Sequence, residues 1–107
     1  MSLDVSLYKT KKVEVFGANI THNLGAMAKE AGIYNALWRP EEVGIKKAEQ
    51  LILPLCEGLE IMIADPDRFS KHDVENGWGT YDYFIPWIER YIEACKQDPS
   101  AEVHACR

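Results

Sequence analysis

The sequence predicts an α+β domain: three main α-helices packed on a small sheet formed by the N- and C-terminal strands. Two observations carry that reading. β-rich alternating stretches sit at the two ends, in residues 5–16 and 101–106. Helical apolar periodicity fills the middle. Its clearest instance is residues 81–95, where Tyr81, Phe84, Ile85, Ile88, Tyr91, Ile92 and Cys95 recur at i, i+3, i+4, i+7 spacing.

The chain has 107 residues, which fits one domain spanning 1–107. With 47% hydrophobic and 27% charged residues, it can build a core and is not of disordered composition.

In order, Val5, Leu7, Val13 and Val15 share one parity, with Lys9 and Lys11 between them. This predicts either one long strand with a polar waist or two short strands joined near residues 9–12. The first helix is expected over residues 20–31, with Ile20, Leu24, Met27, Ala28 and Ala31 as its stripe and Asn19 or Thr21 as its N-cap. Gly32 suits the left-handed position after the helix, and Ile33 the apolar position that follows. Residues 33–38 read as a single helical turn, and Arg39-Pro40-Glu41-Glu42 as a corner.

The second helix is expected over residues 45–64, facing inward through Ala48, Leu51, Ile52, Leu55, Leu59, Met62 and Ile63. Pro54 and Gly58 predict a bend. Leu53, Cys56 and Ile61 lie off the stripe, so this helix is either central or in contact with another subunit, which would make a homo-oligomer. Residues 68–75 read as a polar connection and Thr80 as the N-cap of the third helix, with Asp82 in its first turn and a kink expected near Pro86. Asp98-Pro99 stops that helix, and Val103 and Ala105 share one face of a closing strand. Two strands alone make a marginal sheet, so either the N-terminal segment supplies two or a dimer extends it.

The formal charge of −5 argues against nonspecific binding to a nucleic-acid backbone. Residues 1–38 carry four Lys/Arg and three Asp/Glu, whereas 39–107 carry eight and fourteen. No membrane-length apolar run or secretory signal is visible. Three scattered cysteines, Cys56, Cys95 and Cys106, without a C-x-x-C pair suggest a reducing compartment and no zinc knuckle. His22, His72 and His104 lack metal-ligand spacing, so neither a metal nor a cofactor is expected.

Polar and aromatic residues cluster at Asn19-Ile20-Thr21-His22-Asn23, Trp38-Arg39-Pro40-Glu41, Lys71-His72-Asp73 and Asn76-Gly77-Trp78-Gly79. The first and last stand at helix entries, whose free N–H groups can receive an anion or a carbonyl oxygen. His22 is the candidate acid–base group. Arg39 can clamp a carboxylate or phosphate, or pair with its own acidic neighbours. Trp78 between two glycines is either a stacking platform or a plug at the end of the core. Lys71-His72-Asp73 reads as a solvated loop, and His104 as exposed.

The motifs Asn19-Ile20-Thr21-His22-Asn23-Leu24, Leu37-Trp38-Arg39-Pro40-Glu41-Glu42 and Asn76-Gly77-Trp78-Gly79-Thr80-Tyr81, in this order, resemble a family of small proteins from phage and prophage gene sets. That family has no established activity. The resemblance implies a cytoplasmic setting in a bacterium or phage and carries over no catalytic residue. Three functions follow. The first is a non-catalytic binding protein for a small polar or anionic ligand, using Asn19, Thr21, His22, Asn23, Arg39, Asn76 and Trp78. The second is a small hydrolase or lyase with His22 as general base. The third is an oligomeric structural or interaction subunit.

Overall fold

A computed structural model of the chain describes residues 2–10, 13–73, 77 and 79–107. Strand β1 (Ser2–Thr10) and strand β2 (Val13–Thr21) form an antiparallel hairpin, so the N-terminal segment supplies two strands of nine residues each. Strand β3 (Glu102–Cys106) pairs antiparallel with the other side of β1, giving the order β2-β1-β3. The architecture is α+β, with the chain ends in one sheet and the helices between them.

The sheet is apolar on one face only, as an antiparallel sheet covered on one side should be. Leu3, Val5 and Leu7 of β1 are buried. They sit opposite Ile20, Ala18 and Phe16 of β2, and Leu7 and Val5 face Val103 and Ala105 of β3. The shared parity expected for Val13 and Val15 does not continue that of Val5 and Leu7. Odd-numbered residues of β1 pair with even-numbered residues of β2 from Leu3↔Ile20 to Leu7↔Phe16, and the two register shifts between Leu7 and Thr10 cancel, so that Val13 lies opposite Thr10. Val13 is consequently exposed.

The first helix begins later than its periodicity suggested. Ser2 and Leu3 pair with Thr21 and Ile20, so Ile20 is a buried strand residue. A 3₁₀ turn follows at His22–Leu24, capped by Thr21. Helix α1 then runs Gly25–Ala31. Its ending is as expected: Gly32 has φ 79°, and the Ile33 N–H donates back to the Ala28 carbonyl at 2.9 Å. Ile33 is buried. Helix α2 (Tyr34–Trp38) is the single turn, and the corner is a 3₁₀ turn at Pro40–Val43.

Helix α3 (Glu49–Ala64) also starts later than expected. Residues 45–48 run beside β3 instead: the Val103 N–H donates to the Lys46 carbonyl, and the Ala48 N–H to the Ala101 carbonyl. The Gln50 side-chain oxygen accepts the Lys46 and Lys47 N–H groups and so marks the switch into helix. Leu51, Leu55, Gly58 and Met62 are buried. Ile63, assigned to the inward stripe, is exposed, because one residue beyond Met62 rotates it about 100° away from the core. Leu53 and Ile61 are exposed too, while Cys56 is half-buried against the core.

Helix α4 (Pro66–Ser70) occupies part of the expected polar connection and buries Phe69 completely. Helix α5 (Tyr81–Gln97) packs Phe84, Trp87, Ile88, Tyr91, Ile92 and Cys95 into the core. Phe16 of the sheet stacks on Tyr91 with ring centroids 5.6 Å apart. Burial pushes the Cys95 thiol up to about 12, which leaves it an inert core group. No helix among the described residues is long and apolar enough to cross a membrane.

Candidate functional site

Two clefts meet at His22, and hairpin geometry places both. β2 delivers residues 19–21 to the edge of the sheet, and the 3₁₀ turn redirects the chain so that His22 lies between the sheet edge and α2. The larger cleft, about 800 Å³, is lined by Ser2 and residues 19–23 on one side and by Gly77, Gly79 and Tyr83 on the other. The smaller, about 440 Å³, lies across His22 and is bordered by Gly25, Ala26, Lys29, Tyr34, Trp38, Arg39 and Arg107.

The wall formed by Asn19, Thr21 and Asn23 is partly self-satisfied. The Asn19 amide donates to Asp4 Oδ1 at 2.6 Å and to Ser2 Oγ at 2.9 Å, across the β1–β2 pair. Thr21 Oγ1 accepts the Asn23 N–H at 3.3 Å, so that Thr21 caps the 3₁₀ turn, whereas α1, the helix it was expected to cap, has no side-chain cap. Opposite them, Gly79 has φ +98° and is buried. A Cβ there would come within 3.0 Å of Thr21 Cγ2 and 3.1 Å of Asn23 Cβ. Only glycine lets the backbone approach the turn this closely, and that approach shapes the inner end of the larger cleft.

The His22 ring lies tilted over Trp38, 6.1 Å between centroids. Its Nε2 is buried and lacks a hydrogen-bond partner among the described residues. Trp38 is itself 2% exposed and stacks in nearly parallel fashion on Tyr34, 5.1 Å away at 8°. It is the floor of the smaller cleft and a plug of the core.

Arg39 does not reach the turn between residues 19–23 and the glycine loop. The α2 ending carries it to the smaller cleft, where its Nη1 donates to Glu42 Oε2 at 2.8 Å. Glu42 first, and the Tyr34 phenol second, hold its guanidinium above its ordinary range. Arg107 likewise donates to Glu41 Oε1 at 2.7 Å and to the Trp38 carbonyl at 2.9 Å. That contact holds the Glu41 carboxyl below the usual carboxylate range. Lys29 Nζ lies 4.7 Å from the Tyr34 ring centre, on an otherwise aromatic contact.

Of the residues singled out in the sequence, Asn19, Thr21, His22 and Asn23 share the larger cleft, Arg39 sits beyond His22, and Asn76 and Trp78 lie outside the described residues. Tyr83, Ser2, Lys29, Tyr34 and Arg107 belong to the clefts without having been foreseen. Lys29 and Arg107 have no motif to announce them, since only the fold brings them together. The Lys71-His72-Asp73 cluster is structural rather than merely solvated. His72 Nε2 donates to Glu30 Oε1 at 2.6 Å, and Asp73 Oδ1 accepts the Tyr81 N–H at 2.7 Å, helping to cap α5. Among the described residues no three His, Cys, Asp or Glu side chains gather as a metal site would need. No family model, curated protein or solved structure matches the chain.

Proposed function

We propose that this chain is a non-catalytic binding protein for a small polar ligand, held where the turn at residues 19–23 meets the glycine loop at Gly77 and Gly79. The observation that carries this reading is the larger cleft itself. It combines an accessible polar wall, one exposed aromatic ring at Tyr83, and an inner end set by the close approach of Gly79 to Thr21. Its volume is that of a site for a metabolite-sized molecule.

Two observations favour binding over hydrolysis or lyase chemistry at His22. The Nε2 atom is buried, so any proton exchange with a ligand would fall to Nδ1 alone. Neither a carboxylate nor a second histidine is among the described residues lining the larger cleft, which leaves the Tyr83 phenol beside His22.

A panel of polar metabolites, screened by thermal shift and amide NMR, tests this reading. The expected result is a compound that saturates, perturbs Thr21, Asn23 and Gly79, and is recovered unchanged. Gly79→Ala should weaken that binding at least 10-fold. Conversion of the compound to product, abolished in His22→Ala, would replace the binding reading with the catalytic one. A panel hit that leaves residues 19–23 unperturbed would overturn both.

A second reading, an oligomeric interaction subunit, rests on the outer face of α3, where Leu53 is 68% and Ile63 52% exposed. It is compatible with the ligand site, because no residue of α3 is among those lining the larger cleft.

A further inference from the structure

We propose that the smaller cleft is a phosphate subsite, and that the ligand of the larger cleft reaches it past His22 with a phosphate group. The second half of this inference rests on the binding reading above; the first half does not.

The protein has a formal net charge of −5, yet Lys29, Arg39 and Arg107 border one cleft of about 440 Å³. They come from α1, from the end of α2 and from the residue after β3, so no local sequence preference gathers them. Like charges repel, and a fold that assembles three of them must compensate. The compensation is partial and lies outside the cleft. Glu42 and Glu41 pair with Arg39 and Arg107, but neither carboxylate is among the lining residues, and both are more than half exposed. Lys29 has the Tyr34 ring as its partner. Three cations against two outward carboxylates leave a positive mouth.

Geometry then narrows the ligand. Glu42 fixes one guanidinium, while Glu41 and the Trp38 carbonyl fix the other, so both are oriented before anything binds. Oriented guanidinium groups suit the oxygens of phosphate or carboxylate. Three cations favour a dianion over a single carboxylate. A stacked aromatic base is disfavoured, because one face of Tyr34 packs on Trp38 and Lys29 lies over its ring. The shared chemistry is therefore a phosphate group, free or carried by a small polar body. His22 borders both clefts, so an esterified phosphate could sit beyond it while the body rests against Thr21 and Asn23.

The test is an NMR titration of the ¹⁵N-labelled protein with inorganic phosphate at matched ionic strength, followed by a sugar phosphate. Saturable shifts centred on His22, Lys29, Arg39 and Arg107, with at least 10-fold weaker binding in Arg39→Gln and Arg107→Gln, are expected. Lys29→Gln, whose ammonium leaves only a ring contact behind, should bind several-fold more weakly and remain folded even if an arginine variant does not. Lys96→Gln, on the exposed side of α5, should bind as the parent does. Shifts that grow linearly without saturation, or equal affinity in Lys29→Gln and the parent, would overturn the phosphate site. A sugar phosphate that binds at least 10-fold tighter than inorganic phosphate and also perturbs Gly79 supports the spanning ligand. Equal affinities overturn the spanning arrangement and leave a site for free phosphate. A non-phosphorylated ligand that fills the larger cleft while phosphate never binds would sink this inference and leave the binding reading standing.

Discussion

At the scale of single residues, the smallest side chains are the most constrained. Gly58 is buried inside α3, and a Cβ there would lie 2.3 Å from Ile33 Cγ2. Replacing an interior helical glycine with alanine ordinarily gains about 1 kcal/mol. Here the buried Ile33 has nowhere to move, and forcing a methyl into a packed core costs about 1–3 kcal/mol. Gly58→Ala should therefore lower stability, by up to about 2 kcal/mol in chemical denaturation, and a raised midpoint would refute the packing argument. Sequence alone reads Gly58 only as part of a bend with Pro54, since the tight neighbour is a loop residue 25 positions upstream. The capping role of Thr80 and the left-handed Gly32 were legible, because their physics is local. The position of Arg39 was not, because a salt bridge to Glu42 and the end of α2 decide where it faces.

Between elements, α1 and α4 are joined by a polar latch. Glu30 receives hydrogen bonds from His72 first and Arg68 second, and these hold its carboxyl down at about 2, against an ordinary 4.5. A carboxyl whose pKa is depressed on folding stabilises the protein above its unfolded value. That contribution is complete above pH 4.5 and is lost as pH falls through 4.5 toward 2. Thermal midpoints should thus fall across this window in the parent and vary less in Glu30→Gln; parallel curves for the two proteins would rule the latch out. The latch also explains one sequence-level misreading. His72 beside Asp73 resembles an idle loop pair, but each residue serves a different distant element. The helix boundaries failed in the same way. Residues 20–24 and 45–48 carry helical spacing, yet backbone pairing with β1 and β3 captures part of each segment.

At the scale of the molecule, the fold class was readable because β-rich ends and periodic interior segments do not depend on one another. The candidate site was readable only in part. Its polar turn is contiguous in sequence, whereas Lys29, Arg39 and Arg107 converge solely through topology. The exposed side of α3 belongs to this scale as well. If Leu53, Ile61 and Ile63 form a subunit contact, sedimentation should show a concentration-dependent oligomer that Leu53→Lys shifts to monomer; a parent that stays monomeric at high concentration would remove that reading. The position of β1 in the middle of the sheet has a consequence in time. Its pairing with β2 closes a short turn, and hairpins form in roughly 1–10 μs. Its pairing with β3, through Asp4 and Cys106, closes a loop of roughly a hundred residues and must follow collapse of the helices between. The chain should fold more slowly than a helical bundle of its length. Because the sheet encloses the whole helical segment in sequence, neither layer has a complete partner until the last strand arrives, which makes folding a single cooperative event rather than a sequence of independent ones.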